Sequence, residues 1–328
     1  MRKVQLIVAL AALVLFAWVI SHVGVPTMVV QLKAMRVALP IVIALSTLRL
    51  FLQSTTWSAS LKGEKVYVNR ARLVGVRLAS QSMGYLTVLG PVLSEPMKIK
   101  LLGTSSEPTI TATFLDTGVY WFTSLLVAIS GIVCLPLIST HGTAYRWLPV
   151  ILALAVAVFT ITRRSPILRV VVRAFGTRAP SWLVRAEKWE ASVRTYRSKQ
   201  PALVGRMFWI GVACQILIAS EVLVFLWSLH LPIHVFSVLA IEGVTRVLRM
   251  ASGWIPARVG ADEGGAISAF GVVGLSPALG LGLALTRRVR DLLWALTGIL
   301  WLAWNSRSSS PRRAITLELS SNLSERGA

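Results

Sequence analysis

The chain has 328 residues, of which 55% are apolar and only 14% charged, with a mean hydropathy of +0.70. A soluble domain devotes about a quarter of its residues to charge, and a disordered chain combines high charge with few apolar residues, so both classes are excluded. The formal charge of +21 comes from 34 Lys/Arg against 13 Asp/Glu, but the bases lie between long apolar runs rather than on one solvated face, which argues against a nucleic-acid partner.

In chain order, the first apolar run is Val4–Ile20, which follows Arg2-Lys3 and lacks a small-x-small cleavage site, so it reads as a span rather than a signal peptide. Val37–Gln53 is the second, interrupted by Pro40 and Arg49. Leu78–Leu93 is apolar but broken by Gly84, Gly90 and Pro91. Phe114–Ile138 and Trp147–Thr162 follow, then Leu203–Leu229 and Val235–Ser252. Trp254–Gly274 is a second broken stretch, with Pro256, Gly260, Gly264, Gly265, Gly271 and Gly274. Ser276–Trp304 closes the series. A helix crosses the hydrocarbon in about 20 residues, so the expected fold is all-α: a polytopic bundle of about 7–8 transmembrane helices within a single domain spanning residues 1–305. Free backbone groups survive at membrane depth only inside protein or beside a wet cavity, so the two broken stretches are expected to be re-entrant, with helix breaks at Pro91, Pro256, Gly260 and Gly264. Residues 306–328 read as a polar, disordered tail.

Orientation follows from loop charge. Arg163–Lys199 carries ten basic residues against Glu187 and Glu190, which puts loop 163–200 and the N-terminus in the cytoplasm. Lys62–Arg77 and Lys98–Lys100 share that side if Leu78–Leu93 enters and leaves by one face. If Trp254–Gly274 is also re-entrant, the tail with Arg307, Arg312 and Arg313 lies outside, against the same rule. The loop side of the tail stays open at this level.

Cys134 and Cys214 sit in separate apolar runs without metal or disulfide spacing. His230 and His234 are separated by Pro232, which argues against a shared metal-binding face, and no metal or cofactor is expected. The motifs GxxxxGK[ST], HExxH, CxxC and GxSxG do not occur, so no enzymatic activity is expected.

The informative residues are ionisable ones that the runs keep in the membrane, where charge is costly and is paired or faces a cavity. Glu242, Arg246 and Arg249 share one helical face by their spacing of four and three, so Glu242 can pair with Arg246. Arg287, Arg288, Arg290 and Asp291 interrupt the last run, and Arg258, Asp262 and Glu263 flank the second break. Asp116 and Glu221 are lone acids in other runs. Pairing among these charges alone could fix helix register. Yet residues 242–291 hold six arginines and four acids, an excess that points to a bound anion, since guanidinium grips phosphate in a bidentate fork. An anionic phospholipid or polyprenyl-phosphate is the abundant candidate at that depth. Arg246, Arg249, Arg258, Arg287 and Arg288 are the candidate head-group contacts, with Glu242, Asp262 and Glu263 as balancing acids. A lipid-pathway enzyme docked on the basic loop is the other candidate partner.

The ordered set Gly84-Tyr85, Gly90-Pro91-Val92-Leu93-Ser94-Glu95-Pro96-Met97-Lys98, then Glu242-x3-Arg246, Ile255-Pro256-x3-Gly260-x2-Glu263-Gly264, Gly274-Leu275-Ser276 and Arg287-Arg288 resembles the flippase-like membrane proteins, which share the transmembrane region of the lysylphosphatidylglycerol synthases. The resemblance covers roughly residues 30–305. It implies a bundle with two re-entrant elements in a bacterial inner membrane that binds lipid head groups and moves lipids between leaflets. By position, Pro91, Glu95, Lys98, Glu242, Arg246, Pro256, Gly260, Glu263 and Arg287 carry over as site candidates. Ser94 and Ala257 stand where that family commonly has glycine. The aminoacyl-transferase domain of the synthases has no counterpart here, so lysine transfer by this chain alone is not expected.

Overall fold

The structure, a computed structural model, describes residues 36–87, 90–103, 106–138, 191–192, 194–196, 198–231, 234–252 and 255–308. The expected spans Val4–Ile20 and Trp147–Thr162, most of the basic loop and residues 309–328 lie outside the described residues. Among those described, every regular element is helical.

The helices are α1 (Ala38–Gly63), α2 (Arg70–Leu86), α3 (Gly90–Leu102), α4 (Glu107–Ile138), α5 (Pro201–Ser228), α6 (Val235–Ala251), α7 (Ala261–Val272) and α8 (Pro277–Ser308), with a 3-10 turn at Pro256–Arg258. Three of them are long and apolar enough to cross a membrane: α1, α4 over Glu107–Leu135, and α5. The outer surface matches that reading, since the large apolar side chains Phe51, Ile216 and Leu300 are more than half exposed.

Both breaks are present, and neither is a stretch of disrupted helix. The first is confined between Leu86 and Gly90. Gly84 lies inside α2, and Pro91 falls in the first turn of α3, where its missing N–H costs nothing. In the second, the chain passes through left-handed backbone at Ala257, Arg258 (both φ 48°) and Gly260 (φ 80°) before α7 begins. Gly264 is a correction to the expected set: it is within α7, one turn past the break, because helix propagation tolerates a single glycine.

The helix lengths repeat. α1 to α4 run 26, 17, 13 and 32 residues, and α5 to α8 run 28, 17, 12 and 32. The packing repeats with them. α1 packs on α5, the second helix of each half packs on the fourth helix of the other (α2 on α8, α6 on α4), and each broken pair is closed on itself (α2 on α3, α6 on α7). Close approach at these crossings depends on small residues. A Cβ on Gly131 of α4 would lie 2.5 Å from Gly243 Cα of α6, and one on Gly298 of α8 would lie 2.5 Å from the Leu78 carbonyl of α2.

Each half has its own apolar core, and each core borrows a residue from the other half. Trp57, Leu61, Leu73, Val76 and Leu101 are joined by Leu302 of α8, while Val222, Phe225, Ile241, Phe270 and Leu283 are joined by Ala38 of α1. The two cores therefore touch opposite ends of α1 and of α8. The polar site occupies the stretch between them.

Candidate functional site

Along α1, Ser46, Arg49, Leu50 and Gln53 line a cavity of about 360 Å³; along α8, Arg290, Asp291, Trp294 and Ala295 line the same cavity. These residues lie between the core residues Ala38 and Trp57 of α1 and between Leu283 and Leu302 of α8. Part-way positions on α4 (Asp116, Thr117, Tyr120, Ser124) and Ile218 of α5 also line it, together with residues of α2, α3 and α6. All lie well inside helices that are long and apolar enough to span a bilayer, or pack against them.

Among the described residues, seven basic side chains line the cavity (Arg49, Arg77, Lys98, Arg246, Arg249, Arg258, Arg290) against four acids (Glu95, Asp116, Glu242, Asp291). Most are ion-paired. In the first half, Arg77 of α2 pairs with Asp116 of α4, both nearly inaccessible to solvent. Arg77 also donates to Gln53 Oε1 (3.3 Å) and lies over the Trp57 ring, and Thr56 donates to Asp116 Oδ1 (2.6 Å). Lys98 donates to Glu95 Oε1 at 2.7 Å, and Thr117 donates to Glu95 Oε2 at 2.7 Å.

The second half repeats this tie with its charges reversed. Glu242 of α6 accepts from Arg246 Nη2 at 2.5 Å, the pair the i,i+4 spacing predicts, and from Arg287 Nη2 of α8 at 2.7 Å. Arg77 and Glu242 are each the eighth residue of their helix, while Asp116 is the tenth of α4 and Arg287 the eleventh of α8. Each tie is braced by a polar residue of the half's first helix: Gln53 for Arg77, Gln215 for Arg246. Glu221 of α5 sits against both Arg287 and Arg290.

Around the second break, Asp262 accepts from Arg249 Nε (3.1 Å) and Arg258 Nε (3.2 Å), and Arg258 stacks over the Tyr85 ring with its guanidinium carbon 5.5 Å from the centroid. Glu263 reaches back to accept the Gly260 N–H at 2.9 Å, one of the orphan donors at the start of α7, and pairs with Arg288 at 2.5 Å.

Of the sequence-derived candidates, Lys98, Arg246, Arg249, Arg258, Glu95 and Glu242 meet at the cavity wall. Asp262 is held behind it by two of them. Arg287, Arg288 and Glu263 lie outside the lining, engaged in ion pairs. Arg77 and Arg49 were not candidates. Arg77 falls at the end of a basic segment and reads as loop charge until the eighth-position match with Glu242 is noticed. Arg49 shows up in the sequence only as an interruption of an apolar run.

Searches with family models, curated proteins and solved structures return no match to this chain.

Proposed function

We propose that this protein is a membrane lipid transporter of the flippase-like kind, and that it binds the anionic head group of a phospholipid or polyprenyl-phosphate in the central cavity. The observation that carries the reading is the excess of guanidinium over carboxylate lining a cavity between two half-bundles. An intramembrane charge is a functional site by default, because an apolar wall would be cheaper, and planar guanidinium suits phosphate oxygens. About 360 Å³ is enough for a head group and leaves the acyl chains to the bilayer.

The repeat supports a topology as well. With loop 163–200 in the cytoplasm, α1 runs inward and the α2–α3 hairpin opens to the inside. α5 then runs outward, the α6–α7 hairpin opens to the outside, and α8 returns inward. The halves become inverted repeats around a central site, an arrangement suited to alternating access. Treating α6 and α7 as one hairpin, which their mutual packing favours, also brings Arg307 and the bases after it to the cytoplasmic side, in keeping with the positive-inside rule.

Lipidomic mass spectrometry on the purified protein tests binding, comparing the native chain with Arg246→Ala. A co-isolated anionic lipid that is depleted in the variant is the expected result. Purified protein free of lipid, together with unchanged leaflet exposure of every lipid class on deletion, would rule the function out.

A further inference from the structure

The ion pairs around the cavity leave a remainder. Each acid there can be matched to a base, but Asp262 alone faces both Arg249 and Arg258, so one of those two charges has no carboxylate of its own. Arg49 is the other surplus charge. It lies mid-way along α1 within Leu48-Arg49-Leu50-Phe51-Leu52, is half-buried, and lines the cavity. Among the described residues, it has no ion-pair partner and no side-chain hydrogen bond. A guanidinium in an apolar spanning helix with no protein partner is expensive. The cost is recovered when a ligand supplies the missing negative charge.

Among the described residues, two positive charges are left uncompensated, one from each half, and they match a ligand with two negative charges. A phosphate monoester carries close to two at neutral pH, and a diphosphate at least as many, whereas a phosphodiester head group carries one. We propose that the cavity selects a doubly charged phosphate head group over a phosphodiester, with Arg249 and Arg258 taking one charge and Arg49 reading the second. The selectivity rests on the lipid-binding reading above.

The test measures binding of the full chain in detergent to four probes: phosphatidic acid, phosphatidylglycerol, phosphatidylcholine and glycerol 3-phosphate. Phosphatidic acid should bind about tenfold or more tighter than phosphatidylglycerol, the size expected of one charge-assisted hydrogen bond. Arg49→Gln should lower phosphatidic acid binding to near the phosphatidylglycerol level and weaken phosphatidylglycerol much less, while Arg49→Lys keeps part of the preference. The melting temperature of each variant controls for folding. Equal binding of the two anionic lipids, or an Arg49→Gln effect of the same size on both, overturns the double-charge selectivity while leaving lipid binding intact. No anionic lipid binding above phosphatidylcholine overturns the lipid reading instead. In that case, tight glycerol 3-phosphate binding that falls in Arg49→Gln would keep the selectivity and assign it to a soluble phosphate, and absence of that binding would end both.

Discussion

Asp116 offers the sharpest test of how the helices of the first half are tied. Asp116→Asn preserves the shape of the side chain and an acceptor for the Thr56 hydroxyl, but it removes the charge opposite Arg77. Arg77 would keep only a long hydrogen bond to Gln53 and the Trp57 ring face. It is only about 4% exposed, and Lys98 also lies over the Trp57 ring, so the uncompensated cation faces a second one. Breaking one partner of a buried pair costs about 3–5 kcal/mol, whereas replacing both partners by apolar groups of similar volume is close to neutral. Asp116→Asn should therefore destabilise by about 3 kcal/mol or more, and Arg77→Met with Asp116→Leu should recover most of the loss. Equilibrium unfolding in mixed micelles of both singles and the double completes the cycle. A loss below about 1 kcal/mol in Asp116→Asn would mean that water reaches Arg77 and that the tie is not a buried one.

The α4–α6 crossing makes a steric prediction. Gly131→Ala places a methyl 2.3 Å from the Leu239 carbonyl and should cost about 3 kcal/mol, the upper end of overpacking, while Gly118→Ala, with nothing within 4 Å, should be neutral or slightly stabilising in the same unfolding assay. At the second break, Gly260→Ala also meets open space but sits at φ 80°, so its cost should be only the left-handed backbone penalty of about 1–2 kcal/mol, read as a fall in melting temperature. Topology is checked at the end of α8: a single cysteine in Asn305→Cys, in a background without Cys134 and Cys214, should react with an impermeant maleimide only after the inner face is opened. Labelling from the outer face of sealed, right-side-out vesicles would refute the inverted arrangement.

Much of the fold was legible because apolar run length is a strong signal: Val37–Gln53, Phe114–Ile138, Leu203–Leu229 and Val235–Ser252 each fall within or around one observed helix. The exact breaks were not, because glycine content is a poor guide to where a helix stops. Gly84, Gly264 and Gly271 stay helical, whereas Ala257 and Arg258, neither of them glycine, take left-handed backbone. The i,i+4 pair Glu242–Arg246 could be read from local spacing. Arg77–Asp116 and Arg287–Glu242 could not, since they join residues 39 and 45 apart, and only the folded repeat brings those positions together.

That repeat bears on why the charges are present at all. An apolar pair of equal volume holds two helices together about as well as a buried ion pair, and in a bilayer the ionised groups carry an added cost. Stability alone would therefore have replaced these ties with leucine and phenylalanine, as it has in the two flanking cores. Glu242 bridges Arg246 and Arg287, and Asp262 bridges Arg249 and Arg258, so each of these acids serves two cations. Under the proposed lipid-binding function, an entering phosphate would draw on Arg246, Arg249 or Arg258 without leaving either carboxylate unpaired, because the second arginine would stay in place. A carboxylate shared by two arginines keeps one ion pair while the other is exchanged, and the proposed passage of a lipid head group would call for that property.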